Sequence, residues 1–364
     1  MGNETFQTGH GAKDGMPMGP PEKPARPVTI RDVARLAGVS VGTVSNVLNC
    51  PHRVRPETAL KVHQAIRALR YVPNAAARSL VTRRTGTIGV AITSITNLIN
   101  AEIVSGIEQV GKRHGYRVLL AQSGMHEQPY MDDCVQAFCE KGMDGAVGKF
   151  PTAAVEKLLS YGIPVVSFDV DLDGLPADSV MPDYRIGVQQ ALEHLWRLGH
   201  RRIAFLAAPA PWQATHARLQ AYLDAMTALG GAVPDDYVAW GDWSAQGGRQ
   251  AMEQVLDLAV PPTAVLAAND LMAMGAIEAA AARGLRVPGD VSVIGMDNNP
   301  LGALVQPPLT TVSMHALEIG LQSMELLLSR IQGGPGAPGR APRRVSVATA
   351  LVVRASTGPV RERR

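Results

Sequence analysis

The chain of 364 residues is poor in cysteine. Cys50, Cys134 and Cys139 are its only three, and no two form a CxxC pair. That excludes a disulfide framework and argues against a structural zinc site. No apolar run approaches the roughly 18 residues a transmembrane helix needs, so no membrane partner is expected. The first 27 residues lack the apolar stretch of a secretory signal. The motifs GxxxxGK[ST], HExxH and GxSxG are missing, and Gly145-Ala146-Val147-Gly148 does not complete a dinucleotide fingerprint. His114, His194, His200 and His216 are scattered, and Cys134 and Cys139, five apart, share no helical face well. No catalytic, metal or cofactor site is therefore expected, and the chain reads as a cytoplasmic non-enzyme. A hydrophobic share of 46% still permits a sizeable core.

The net charge of +3 hides an asymmetry. Between Arg26 and Arg84 stand 11 lysines and arginines against two acids, Asp32 and Glu57, so that segment carries +9 and the rest of the chain −6. A solvated basic face would give the same count, but a small basic module on an acidic body suits an anionic partner, nucleic acid first.

Residues 1–27, rich in Gly, Pro and Met without periodicity, read as a disordered leader. Residues 28–73 read as short helices, and 74–84 as a basic connector. From Thr87 short apolar strands alternate with amphipathic helices. The clearest strands are Ile88–Ile92, Arg117–Ala121, Val165–Asp169, Ile203–Ala207, Ala264–Ala268 and Val291–Gly295. Helices are expected near 101–114, 130–141, 185–198, 216–229, 245–258 and 271–283, and a last strand, Val345–Val353, after the Pro/Gly-rich loop Gly333–Arg344. The alternation predicts an α/β core of parallel sheets. Its length, about 270 residues, exceeds what one hydrophobic core usually serves. Two lobes are expected within 85–358: the first from about 86–182 and 310–331, the second from about 183–309 and 340–358.

The basic module has its own punctuation. Thr29-Ile30-Arg31-Asp32 starts a helix, Ile30–Ala37, with Ile30, Val33, Ala34 and Ala37 on one face. Gly38-Val39 turns the chain, and Ser40 caps a second helix, Val41–Leu48. Ala34, Gly38 and Val44 have helix-turn-helix spacing. Pro56-Glu57 opens a third helix, Pro56–Leu69, with Leu60, Ile66 and Leu69 expected inward. A generic three-helix bundle is the bland alternative. It gives no structural reason for Thr43, Ser45 and Asn46 on the exposed face of the second helix, whose first residues reach base edges in such modules.

Thr29–Leu80, with TIRDVARLAGVSVGTVSNVLN followed by RYVPNAAARSL, resembles the lactose-repressor (LacI/GalR) family, and the resemblance continues to Leu351–Thr357. It implies a helix-turn-helix head on a two-lobed, periplasmic-binding-protein-like core that recognises double-stranded, palindromic operator DNA. By that resemblance Val41, Gly42 and Asn46 occupy base-reading positions. Gly42 offers nothing to donate, while Asn46 could pair bidentately with adenine. The implied DNA-contacting set is Thr29, Ser40, Val41, Gly42, Thr43, Ser45, Asn46, Asn49, Arg55, Tyr71, Asn74, Ala77, Arg78 and Leu80. Asn74–Leu80 is too short to be a stable helix alone. In the family this segment folds on the operator and wedges its leucine, here Leu80, into the minor groove.

At strand carboxyl ends, where open parallel sheets bind ligands, stand Asp169, the pair Asn269-Asp270, and Asp297. Arg218 opens a helix, and Trp243 lies in Gly241–Ala245. Carboxylates, an amide and an arginine around an aromatic plate suit sugar hydroxyls. Capping by Asp270 and a core role for Trp243 are the local alternatives. The resemblance assigns effector contact to Thr93, Asn97, Asp169, Arg218, Trp243, Asn269 and Asp297. Asn97, Met314 and Ala316 depart from the family's usual walls, which leaves the saccharide open. The expected protein is a transcriptional regulator, a repressor controlled by a sugar-like effector. A transport-type sugar-binding protein would share the fold but needs a secretory signal and no head, and an α/β enzyme needs a nucleophile–base pair that is not found. A dimer is expected, because one helix-turn-helix reads one half-site and the chain ends at Gly358–Arg361 without leucine heptads.

Overall fold

The computed structural model describes residues 28–72, 84–123, 128–172, 174–209, 213–333 and 341–361. The expected leader and most of the expected hinge, including Asn74, Ala77, Arg78 and Leu80, lie outside the described residues. The chain divides into two units, Met1–Val81 and Thr82–Arg364.

Among its described residues the first unit has three α-helices: α1 (Ile30–Ala37), α2 (Val41–Asn49) and α3 (Pro56–Ala68). The Asp32 carboxylate reaches back to the backbone N–H and hydroxyl of Thr29, at 3.0 and 2.7 Å, and fixes the start of α1. Gly38 ends it in the left-handed region, at φ 66°, where a side chain would be strained. Ser40 Oγ accepts the Thr43 N–H at 3.1 Å and starts α2. Val33, Ala34, Val44, Val47, Val62 and Ala65 close a small core, edged by Ile66, Leu69 and Tyr71. Leu60, expected inward, is 56% exposed. Val62, Ala65, Ile66 and Leu69 form the buried stripe at helical spacing, and Leu60, two positions from Val62, falls on the opposite side.

Among its described residues the second unit has two six-stranded sheets. The first has the strand order β11-β5-β4-β3-β1-β2, from Arg344–Ala348, Asp178–Asp183, Val165–Phe168, Gly145–Gly148, Thr87–Ile92 and Arg117–Gln122, all paired in parallel. The second has the order β12-β10-β9-β8-β6-β7, from Ala350–Val352, Thr310–Ser313, Ser292–Asp297, Ala264–Ala267, Ile203–Ala207 and Val238–Trp240. Only β12, at its edge, runs antiparallel. Helices α4 (Leu98–Arg113), α5 (Gln128–Glu140), α6 (Thr152–Ser160) and α11 (Ala316–Gln332) pack on the first sheet and its helices; α7 (Tyr184–Arg197), α8 (Gln213–Ala228), α9 (Ala245–Leu256) and α10 (Asp270–Ala282) serve the second. Buried Phe205 and Tyr222 stack at 5.1 Å between β6 and α8, and burial of such side chains contributes about 1.5–3 kcal/mol each.

The chain passes between lobes at Asp183–Tyr184, at Met314–Ala316 and at Thr349. The last passage corrects two expectations. The apolar run read as one strand, Val345–Val353, is two strands in different sheets, broken at buried Thr349. Thr349 Oγ1 donates to the Asp183 carbonyl and accepts the Gly187 N–H at 2.8 Å, which ties two crossings together. Accordingly Arg344–Ala348 pairs in the first lobe's sheet and Thr310–Ser313 in the second's, the reverse of the expected division.

Candidate functional site

In the head, burial of Val44 and Val47 turns the opposite face of α2 outward. Val41, Gly42 and Asn46 lie on that exposed face. The other polar residues there are partly engaged: Thr43 Oγ1 bonds Ser40 Oγ at 2.9 Å, and Asn49 Nδ2 donates to Ser45 Oγ at 3.3 Å. The Asn46 amide makes no hydrogen bond among the described residues. Arg55 is exposed before α3, Thr29 caps α1 with its carboxylate partner Asp32, and Tyr71 packs against the head's own core.

In the core, a cleft open to solvent is lined by Thr93, Asn97, Lys149, Asp169, Arg218, Trp243 and Asp297, with Ile99, Asn100 and Ala214. The strand ends place them. Thr93, Lys149 and Asp169 follow β1, β3 and β4 in the first lobe; Asp297 ends β9 and Trp243 follows β7 in the second. Asp169, Trp243 and Asp297 all take positive φ, of 57°, 72° and 108°. Non-glycine residues held there carry strain of about 1–3 kcal/mol each and cluster at ligand sites.

Arg218, 4% exposed, organises the charges. It donates through Nη1 to the Ala268 carbonyl and through Nη2 to Tyr184 Oη at 3.3 Å and Asp297 Oδ1 at 3.4 Å. Its guanidinium lies 4.9 Å from the Tyr184 ring and 5.2 Å from the Trp243 ring. Its Nε is buried without a hydrogen-bond partner among the described residues. Asp169 accepts from Tyr184 Oη and from Lys149 Nζ, so the first lobe's carboxylate is tied to the residue that opens α7. Burial alone would raise the Asp169 carboxyl, but Lys149, Arg218 and the two hydrogen bonds outweigh it and hold it below the usual carboxylate range. Asp297 goes the other way: burial pushes it up to about 6 against the pull of Arg218 and Lys149.

The description "Bacterial regulatory proteins, lacI family" matches residues 29–74, and "Periplasmic binding protein-like domain" matches residues 192–357. Over 304 residues the chain is 36% identical to catabolite control protein A of Priestia megaterium, covering 82% of this chain and 91% of that protein. The chain belongs to the lacI family. A crystal structure of the lac repressor dimer bound to operator and the anti-inducer ONPF, 31% identical, superposes with a TM-score of 0.81 over 92% of this chain and 100% of that one. The complex of the transcriptional regulator CelR with cellobiose, 32% identical, gives 0.69 over 91% and 100%.

Of the effector positions expected for a lacI-family protein, six gather in the cleft: Thr93, Asn97, Asp169, Arg218, Trp243 and Asp297. Asn269 does not line it. Its Oδ1 caps α10 at the Met272 N–H, 2.8 Å, and its Nδ2 donates to the Trp243 carbonyl at 2.9 Å, so it props the tryptophan loop. Asp270 is a brace, accepting from the Thr311 hydroxyl and the Asn299 N–H. Met314 and Ala316 are buried in the second crossing. Lys149 and Tyr184 were missed. Lys149 follows a strand, Gly145–Gly148, that is four residues long with glycine at both ends and was not among the expected strands. Tyr184 carries no sequence signal beyond opening a helix.

Proposed function

We propose that this lacI-family protein is a transcriptional repressor whose operator affinity is set by a small sugar-like effector in the interlobe cleft. The observation that carries the reading is Arg218: a buried cation on the cleft wall with an unused donor, whose burial without a partner is unfavourable by about 1–3 kcal/mol until a ligand supplies an acceptor. The head supports the other half, since α2 presents Val41, Gly42 and the unengaged Asn46 outward. The working form is a cytoplasmic homodimer, each head reading one half of a palindrome. The protein does no covalent chemistry of its own.

The effector contacts Asp169 from one lobe and Arg218, Trp243 and Asp297 from the other. A ligand that binds the two lobe arrangements unequally redistributes them, and about 5.5 kcal/mol of differential affinity carries a swing from 1:99 to 99:1. The redistribution changes how tightly the protein holds its operator. Gel-shift titration of the purified protein on its own promoter DNA, with and without a saccharide panel, tests this. Loss of the shifted band with one or more sugars is expected. A band that no saccharide alters at millimolar concentration, in either direction, refutes the sugar-controlled reading.

A further inference from the structure

Beyond the backbone crossings themselves, the lobes are hydrogen-bonded to each other along one short stretch of the first lobe. That stretch follows β4 and runs from Asp169 to Asp171. Tyr184 and Gln213, which open α7 and α8, grip it from the second lobe. One grip is buried: Tyr184, 4% exposed, donates its hydroxyl hydrogen to Asp169 Oδ1. The other is at the surface: Gln213 Oε1 accepts the Asp171 N–H at 2.8 Å, and Nε2 donates to the Asp171 carbonyl at 3.4 Å.

The Tyr184 hydroxyl stands between charges of opposite lobes. It accepts from Arg218 Nη2 at 3.3 Å, and the guanidinium lies 4.9 Å from its ring. Arg218 makes no hydrogen bond to Asp169 itself among the described residues. Contacts therefore run in series through Lys149, Asp169, Tyr184, Arg218 and Asp297, and the series passes from the first lobe to the second at the Tyr184–Asp169 bond. Tyr184 lies behind the wall that Asp169, Arg218 and Asp297 present to the cleft. Its bond needs no ligand atom, and on the lobe redistribution given above, on which the inference rests, the ligand-free protein is the one that binds operator. Hydrogen bonds tolerate little change in distance or angle, so a lobe movement that carries Asp169 away from α7 breaks this one. A buried hydrogen bond to a charged group biases such an equilibrium by about 10–100-fold. We infer that Tyr184, with Gln213 as its outer partner, latches the lobes in the operator-binding arrangement, and that an effector works by overcoming the latch. Tyr184 is a positioning residue that acts through Asp169 and Arg218.

Hydrogen exchange of the full-length, ligand-free protein tests the latch, because the Asp171 N–H is bonded across the lobes and exchanges when they part. Tyr184→Phe keeps the ring against Arg218 and removes the hydroxyl alone. It should speed exchange in a peptide spanning residues 169–172 by about 10-fold. Tyr222→Phe is the control: it removes a buried tyrosine bond, 2.8 Å to the Ile203 carbonyl, inside the second lobe, and should leave that peptide unchanged. Exchange in Tyr184→Phe like that of the unaltered protein, or equal acceleration in Tyr222→Phe, overturns the latch. Gel shifts with a saccharide panel read its effect on the switch. In Tyr184→Phe the fold-loss of ligand-free operator affinity, multiplied by the fold-drop in the saccharide concentration that releases DNA, should come to about 10–100. A product near one shows that the bond does not bias the switch and overturns the inference. If no saccharide releases the unaltered protein, the sugar reading fails and the exchange experiment alone decides the latch. Should Tyr184→Phe fail to fold, Asp169→Asn takes its place in the exchange experiment; asparagine tolerates the positive φ there, and removing the charge weakens the same bond enough to speed exchange about 3-fold or more. Unchanged exchange in that variant overturns the latch as well.

Discussion

Asp270 offers a test of the core's electrostatics that is independent of any ligand. It opens α10, is 1% exposed, and accepts from Thr311 and from the Asn299 N–H. Burial, reinforced by the Asp297 carboxylate, pushes it up to about 8. The folded protein therefore holds a proton that the unfolded chain, with an aspartate near 3.9, has released. A raised folded pKa contributes stability that is complete below about pH 4 and is lost as pH climbs to about 8. At about 1.36 kcal/mol per unit, the loss between pH 5 and pH 8 is about 3–4 kcal/mol, a large part of the 5–15 kcal/mol typical of a domain. Coupling to Asp297 means the pair titrates together, so part of the change falls near pH 6. Asp270→Asn mimics the protonated acid, its amide able to donate to Thr311 and accept from Asn299. Urea denaturation at pH 5, 6, 7 and 8 should find the variant more stable by about 1.5 kcal/mol at pH 5 and by about 5 kcal/mol at pH 8. A difference that stays constant with pH, or a variant less stable at pH 8, would show that Asp270 is ionised in the folded state and that the argument is wrong.

Three further outcomes are expected. Arg218→Ala removes the cation shared by Tyr184, Asp297 and the cleft; the effector response in a gel shift should vanish while operator binding without ligand persists, and a normal response sinks the assigned role. Asn46→Ala should relax discrimination at one base pair per half-site by about 1–3 kcal/mol, read by binding-site selection, where an unchanged profile contradicts base contact. With two heads of charge +9 neutralising about 6–10 phosphates, operator affinity should fall about 10³–10⁵-fold between 50 and 200 mM salt; fluorescence anisotropy showing a flat dependence would refute the electrostatic account.

The head was almost wholly legible in the residues, because its signals are local. Capping Thr29-Asp32, the turn at Gly38 and the cap at Ser40 each act within four residues, and they set α1 and α2 within one residue of where periodicity placed them. The alternation of strands and helices likewise sufficed for a parallel α/β core. What the tertiary structure alone decided involves partners far apart in the chain. The run at Val345–Val353 has one unbroken apolar pattern, yet its halves pair with β5 and β10, more than 100 residues and about 40 residues away, and period-2 alternation carries no label for the sheet a strand will join. Asn269 and Asp297 both end strands of the second sheet and look alike in sequence. Only the fold turns the Asn269 amide inward to the α10 cap and the Trp243 carbonyl while it leaves Asp297 on the wall. Lys149 gains its meaning from Asp169, 20 residues on, because β3 and β4 lie side by side and end together. Propensity and capping act between neighbours along the chain, whereas the charge balance of a cleft is a sum over strand ends that only the completed sheets bring together.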